Sequence, residues 1–362
     1  MTILVLGDQL ARGVGPLAER PDERVLMIEA HGFARRLPYH PHKLTLVFSA
    51  MRHFREDLRR VGRPLDYREV ESFGDGFDAH FEDHPGDRIV TVQPTAHGAE
   101  GRLREMIEGR GGTLETTENP FFLCPESAFD DWAAGRKLPY RHEHFYRFMR
   151  RETGYLMEGD EPRGGRWNYD EENREPPEDG RFPEPPGFPP DGFTAEVAAW
   201  VGDEFDGGYG SRPYGGSWAE PEGFTWPVTR AQALEALGAF VEDRLAGFGP
   251  RQDAMLEAEW SMNHAVISPL MNVGLLRPAE VVEAAIAAAE RDASIGLASL
   301  EGFVRQVIGW REFVRHAYRD TMPRLDGANR LDAGEDLPEF YWTGETDMAC
   351  LSSVIDGVRR RG

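Results

Sequence analysis

The chain has 362 residues, a length for two domains or one large one, and 40% of them are hydrophobic, enough for a sizeable core, so wholesale disorder is excluded. It carries 63 acids against 41 Lys and Arg, a formal charge of −22, which argues against nonspecific binding to nucleic acid while leaving room for a local basic groove. No run of about 18 apolar residues exists, so no membrane span is expected, and two cysteines, Cys124 and Cys350, exclude a disulfide scaffold and suggest a reducing cytoplasm.

The N-terminus lacks a basic leader and runs straight into an acid, so it reads as a buried strand and not as a signal peptide. Short apolar runs at 3–6, 25–28, 44–48 and 89–92 are the predicted strands. Helices are predicted at 50–61, with Met51, Phe54, Leu58 and Val61 inward, and at 99–108, with Leu103, Met106 and Ile107 inward. Strands alternating with helices predict a parallel sheet covered by helices, an α/β unit over residues 1–125. Ligands of such sheets sit beyond the carboxyl ends of the strands. Gly7-Asp8-Gln9 follows the first run and Ser49 the third, so both lie where a small ligand would sit, or they supply ordinary turn and cap chemistry. There is no G-x-G-x-x-G, so a dinucleotide fingerprint is not supported.

From about 126 the pattern turns helical, with helices predicted at 126–134 and 141–157, the second rich in Arg and aromatics. Seven prolines within 174–192 predict an extended strap, and the Gly-rich stretch 207–223 predicts a loop. Thr229 is placed to cap a helix over 231–245, and further helices are predicted at 278–291 and 299–319. The organisation expected is an α/β unit over 1–125, a helical connector over 126–228 and an all-α unit over 229–362.

Three later segments carry chemistry. Asn263, His264 and Ser268 open an otherwise apolar helix, where free N–H groups with hydroxyl and imidazole donors suit a pyrophosphate. The plainer reading is a capped helix with Pro269 in its first turn. Gln306 is followed by Trp310-Arg311-Glu312, an aromatic face, a forked donor and a carboxylate on successive positions that point in different directions. The plainer reading puts Trp310 in the core and makes Arg311 and Glu312 a surface pair. Phe340-Tyr341-Trp342 makes either a stacking or electron-transfer platform or an aromatic cap.

In order, Ser-Pro-Leu-x-Asn-x-Gly-Leu-Leu (268–276), Gly-Trp-Arg-Glu-Phe (309–313) and Phe-Tyr-Trp-Thr-Gly-x-Thr-Asp-Met-x-Cys (340–350) resemble the photolyase/cryptochrome superfamily. The likeness is to its prokaryotic iron–sulfur branch, the deoxyribodipyrimidine photolyase-related proteins that include bacterial (6-4) photolyases. Leu6-Gly7-Asp8-Gln9-Leu10, the stretch 48–54, Gly164-Gly165-Arg166-Trp167-Asn168 and Gln252-Asp253-Ala254-Met255 add to it, so the resemblance runs from residue 4 to residue 350.

The resemblance implies a Rossmann-like α/β antenna domain followed by an all-α flavin-binding domain. It implies FAD, 6,7-dimethyl-8-ribityllumazine as antenna chromophore, and a [4Fe-4S] cluster in the family. The activity implied is light-driven repair of UV-damaged DNA by electron transfer from excited reduced FAD, with the lesion flipped out of the duplex. Carried over by motif, Gly7, Asp8, Gln9, Glu29, Val47 and Ser49 would line the lumazine site. Asn263, His264 and Ser268 would grip the FAD phosphates, and Gln306, Trp310 and Arg311 would wall the FAD pocket. Trp342 would pass electrons to the flavin, and Cys350 matches the first cluster ligand.

The branch continues past Cys350 with a helical remainder that carries lesion-facing histidines, more FAD contacts and three further cluster cysteines. This chain stops at Gly362, so it reads as C-terminally truncated, and a cluster on Cys350 alone is not expected. On that reading the chain alone would hold lumazine, bind FAD weakly or not at all, expose apolar faces and be inactive unless a complementing C-terminal fragment is supplied. A blue-light sensor of cryptochrome type and a non-catalytic lumazine-binding remnant are the alternatives. Contact with DNA would lean on Arg147, Arg150 and Arg151, which otherwise form a solvated helix face. Arg supplies all but two of the 41 basic positions, the texture of a surface kept soluble in molar salt, where the Debye length is about 3 Å, or of an Arg-favouring genome.

Overall fold

Five parallel strands, β1 (Thr2–Leu4), β2 (Arg24–Ala30), β3 (Leu65–Val70), β4 (Arg88–Val92) and β5 (Thr113–Thr117), form one sheet in the order β3-β2-β1-β4-β5. The computed structural model describes residues 1–37, 39–176, 182–210, 223–257 and 259–362. The strand order reverses at β1, whose neighbours are β2 and β4, and the crevice beyond such a switch point is where open α/β sheets take ligands. Gln9 ties the two strand ends there: its Oε1 accepts from Leu6 N–H (3.3 Å) and its Nε2 donates to Val92 O (3.0 Å).

The predicted α/β unit stands, with one predicted strand replaced by helix and two strands added. Residues 44–48 are not a strand but part of the helix Pro41–Arg60, which takes in 50–60 of the predicted 50–61; Val61, expected inward, is its C-cap and is exposed. Pro41 in its first turn and His40 Nδ1, accepting from His42 N–H (3.1 Å), start this helix. The run is apolar but for the buried Thr45 because the helix is covered on more than one side. Leu44, Phe48 and Met51 join the main core, while Leu46 packs with Phe224 and Val228. A short apolar run does not by itself distinguish a strand from a buried helix. Strands β3 and β5 escape the sequence because each is an edge strand of mixed polarity, Leu-Asp-Tyr-Arg-Glu-Val and Thr-Leu-Glu-Thr-Thr.

The helical half follows its signals more closely. Helices Ala99–Glu108, Glu126–Ala133 and Pro278–Arg291 occupy the predicted places, whereas the predicted 141–157 is His142–Thr153, stopped by Gly154 at φ +72° with Met157 already in a strand. Thr229 caps Arg230–Asp243, its hydroxyl accepting from Gln232 N–H while Gln232 reaches back. The predicted 299–319 is one continuous run, Leu297–Val304, a π-helical turn Arg305–Arg311, and Glu312–Thr321. The proline strap carries neither helix nor strand over 182–191, and the Gly-rich stretch begins inside the helix Gly192–Gly210, with 211–222 outside the described residues.

One core spans both halves, from Ile3 and Val25 through Phe145 and Phe240 to Ile308. The helical half meets the carboxyl end of the sheet at Gly274. Its φ of +84° favours glycine, and a Cβ there would lie 2.8 Å from both Leu10 N and the Phe121 ring. Leu10 N–H donates to Val273 O (3.1 Å) across the same contact. Leu325, Leu331, Leu337, Val354 and Val358 are exposed near the C-terminus. No helix among the described residues is long and apolar enough to cross a membrane.

Candidate functional site: a cleft between the sheet and two helical walls

A cleft of about 980 Å³ opens between Thr95, Ala96 and Phe122 of the α/β unit and two helical walls. The first wall is the turn 264–267 with Ser268 and Met271; the second is the face of Phe303, Gln306, Trp310, Arg311 and Tyr318. His97 N–H donates to the Tyr318 hydroxyl (3.1 Å) and so fastens the second wall to the sheet side.

The second wall owes its shape to the π-helical turn. Such turns shift the facing of side chains within a helix and gather at functional sites. Trp310 and Arg311 both line the cleft, although as neighbours they were expected to diverge, while Glu312 faces the interior. Trp310 is 43% exposed, which overturns its reading as core. Its indole stacks on the His142 imidazole with ring centroids 3.8 Å apart and planes within 6°. Gly309 permits this approach, since a Cβ there would lie 2.8 Å from His142 Nε2. Burial and the neighbouring Arg305 push the His142 pKa down to about 4, so the ring is neutral at pH 7.

Arg311 and Glu312 are not a surface pair. Glu312 is fully buried and accepts N–H bonds from Leu123 and Cys124, both at 3.0 Å. Arg311 donates to Phe121 O (2.9 Å) and lies 3.4 Å from Glu312. Its guanidinium carbon stands 4.0 Å from the centroid of the Phe122 ring, and that of Arg315 stands 4.2 Å from the same ring. Burial lowers the pKa of both guanidiniums, and Arg311 Nε is buried without a hydrogen-bond partner.

On the first wall the helix begins only at Ser268 (Ser268–Asn272), so Asn263 and His264 precede it and do not open it. Burial lowers the His264 pKa. Val266 has φ +53°, a region that β-branched residues avoid and that costs of order 1–3 kcal/mol. Asn263 is not on the cleft; it is buried, its amide packed over Gly247. The structure therefore brings together His264, Ser268, Gln306, Trp310 and Arg311 and leaves Asn263 out.

The proposed antenna residues form a separate set. Gly7 lies against Val47 and Met51, with Val47 Cγ1 3.3 Å from where a Cβ would be. Burial raises the Asp8 carboxyl pKa, and the Ser49 hydroxyl is buried without a partner. Ser49 lies within a helix, not at a strand end. Glu29 is fully buried and engaged by Arg52 (2.8 Å), His31 (3.1 Å) and the Tyr67 hydroxyl. Burial works to raise its pKa, but these donors hold it below the usual range.

Trp342 lies outside the cleft lining on Phe340–Thr343, where its carbonyl accepts from Arg359. Cys350 is exposed on Ala349–Arg361, whereas Cys124 is buried, its thiol pushed up to about 12 by burial and Glu312. The expected Arg cluster is not a free cationic face. Arg150 is fully buried and binds the carbonyls of Trp167 (2.9 Å) and Leu156. Arg147 and Arg151 stand 5.5 and 4.6 Å from the Trp167 ring.

Sequence reasoning missed Phe122, His142, Arg315 and Tyr318. Arg315 lay within reach, four residues after Arg311 and thus on the same helix face. His142 and Phe122 had no comparable signal, since both come from elements distant in the chain.

The chain matches the deoxyribodipyrimidine photo-lyase-related protein family over residues 3–214. It is 37% identical over 366 aligned positions to the (6-4) photolyase of Agrobacterium fabrum (strain C58), covering 98% of this chain and 69% of that protein. A shorter likeness, 32% over 104 residues, links 27% of the chain to the uncharacterized protein R853 of Acanthamoeba polyphaga mimivirus. The fold is similar to that of a bacterial class III photolyase from Agrobacterium tumefaciens, with a TM-score of 0.62 at 17% identity, covering all of this chain and 69% of the other. A cleft beyond the ends of β4 and β5 walled by the matching motifs, a family match over more than half the chain and this degree of identity lead to one conclusion: the chain belongs to the deoxyribodipyrimidine photo-lyase-related family.

Proposed function

We propose that this chain binds FAD in the cleft and repairs UV-damaged DNA, with the (6-4) photoproduct as its lesion. The observation that carries the reading is the two-part chemistry of the cleft. One part is polar and cationic, with His264, Ser268, Arg311 and Arg315; the other is apolar, with Phe248, Ile267, Met271 and Phe303. That combination suits a flat ring system joined to a pyrophosphate, with Arg311 and Arg315 on the lining as the cations for its anionic part. When bound and reduced, the flavin would supply, on excitation, the electron that starts splitting of a pyrimidine photoproduct.

The chain's own residues hold and screen. Ser268 and the two guanidiniums orient the anionic part. Neutral His264 donates or accepts hydrogen bonds without adding charge. Trp310, backed by His142, offers an aromatic face on which a flipped base can stack, and Gln306 an amide for its edge. The assembled cleft gives no support to the expected inactivity of the chain.

Gly7, Asp8, Val47 and Ser49 are our assignment for the antenna chromophore, on the Asp8 carboxyl, whose pKa burial raises, and the orphaned Ser49 hydroxyl. Gln9 and Glu29 are already engaged by the chain itself. For Trp342 the electron-relay role rests on its motif. The donor set does not fit a four-thiolate cluster, because the chain has two cysteines, one buried and one exposed, and no step is routed through such a group.

The purified chain tests this by its absorption spectrum, with released chromophores identified by mass, followed by blue-light repair of an oligonucleotide bearing one (6-4) photoproduct. Near-stoichiometric FAD with repair is expected, and Arg311→Ala should lose FAD. Absence of FAD even after reconstitution overturns the reading. Bound, photoreducible FAD without repair of the lesion replaces it with a sensor.

A further inference from the structure

A second cavity, of about 220 Å³, touches the main cleft only through the turn at Ala265 and Val266. Its described lining includes Arg244, Arg360, Arg361, Trp226 and Trp260 and contains no acid, in a chain that has 63 of them. Neither the flavin reading nor the family motifs use these residues.

Arg244 is 1% exposed and follows the helix Arg230–Asp243. Its Nη1 donates to His264 O (3.0 Å), a neutral acceptor, and no carboxylate pairs with it among the described residues. Burial pulls its pKa down, and the charge acting the other way is the neighbouring, exposed Asp243. Arg52 and Arg305, also deeply placed, differ, meeting Glu29 at 2.8 Å and Asp170 at 3.0 Å, whereas the fully buried Arg150, like Arg244, is held by backbone carbonyls; Arg244 is set apart by lining a cavity. A guanidinium does not deprotonate in a protein, so a buried one without an anion is costly. The carboxyl end of the preceding helix offsets part of that cost.

Arg361 repeats the pattern at the mouth. It is held 4.8 Å over the Trp260 ring, its carbonyl accepts from Trp226 Nε1–H (3.3 Å), and it makes no ion pair among the described residues. Arg360 adds a third cation, paired with Asp356 at 2.5 Å on its outer side.

We infer that this cavity is a binding site for a phosphoryl oxyanion, held chiefly by Arg244 and Arg361. Its volume falls below that of pockets for drug-sized ligands, so it takes one phosphoryl group and little more. Free phosphate and the phosphodiester of a single-stranded nucleic acid share that chemistry. Trp226 and Trp260 flank the site and serve as reporters.

The test is a titration of tryptophan fluorescence of the full chain with inorganic phosphate, and separately with a short single-stranded oligonucleotide, at ionic strength held constant with chloride. A saturable change is expected with either, and Arg361→Gln should weaken it at least tenfold. Arg244→Met should abolish it while leaving the thermal midpoint unchanged or higher, because an unpaired buried charge is removed. Response to the oligonucleotide alone would assign the site to a nucleic-acid backbone; response to phosphate would assign it to a free anion. Three outcomes overturn the inference: no saturable response to either probe, wild-type affinity in Arg361→Gln, or competitive displacement of phosphate by FAD, which would merge the cavity with the flavin cleft. Flavin binding that fails while phosphate binding persists would sink only the proposed function.

Discussion

Glu312 shows how much one buried carboxylate can organise. It closes the seam between the segment at Leu123 and Cys124 and the helix that walls the cleft, accepting two backbone N–H bonds at 3.0 Å with Arg311 beside it. Burial raises its pKa, and removing it strands Arg311 and both N–H groups. Glu312→Ala should therefore cost about 3–5 kcal/mol in denaturant unfolding. A loss below about 1 kcal/mol would show that apolar packing alone holds the seam. Histidine adds a pH signature. His316 is fully buried, stacked on Phe129 and bonded through Nε2 to Cys124 O (3.0 Å), and burial with Arg315 holds its pKa down to about 4. A lowered pKa means the unfolded state binds the proton first. The stability His316 contributes is whole above about pH 6.5 and is lost as pH falls towards about 4. His142 acts in the same direction. Asp8, Glu301 and Glu312, held above the usual range by burial, act oppositely, so the test is a difference. His316→Gln should show a flatter stability profile than wild type between pH 6.5 and 4; parallel profiles would refute the assignment.

At the scale of an element, the π-helical turn Arg305–Arg311 decides what the cleft can do. It turns Trp310 and Arg311 onto one wall and lets Gly309 approach His142. Ala normally stabilises a helix relative to Gly by about 1 kcal/mol. Here the added Cβ would sit 2.8 Å from His142 Nε2 and 3.2 Å from Tyr146 Cδ2, so the contact outweighs the propensity. Gly309→Ala should destabilise by about 1–3 kcal/mol and shift Trp310 fluorescence as the stack opens. A gain in stability would mean that the turn relaxes to regular helix without consequence. The residues of this wall were legible as a motif, but their common facing was not, because regular helical spacing sends neighbours about 100° apart.

For the whole molecule, the charge of −22 sets the solution behaviour. Many acids are paired with Arg, yet the excess remains, and like charges on a compact body repel until salt screens them. The thermal midpoint should rise as KCl is increased from about 0.1 to 2 M, where the Debye length shrinks to a few ångströms. A steady fall would show that ion pairs such as Arg35–Glu71 matter more than the net repulsion.

The sequence by itself determined the features that rest on local pattern. Alternating apolar runs and helices specified a parallel sheet, Thr229 its helix cap, Pro278–Arg291 its limits, and the ordered motifs the family. Tertiary structure decided whatever depends on distant partners. Residues 44–48 became helix because other elements cover them, and β3 and β5 became strands because a neighbouring strand supplies the hydrogen bonds their polar sequences do not advertise. Arg150 went inside to meet the carbonyls of Trp167 and Leu156, Glu312 met N–H groups nearly 190 positions away, and Arg244 was left facing a cavity with no acid among its described lining residues. Periodicity and capping are written within a few residues of one another, whereas the pairing of a buried charge is settled only when remote segments come together.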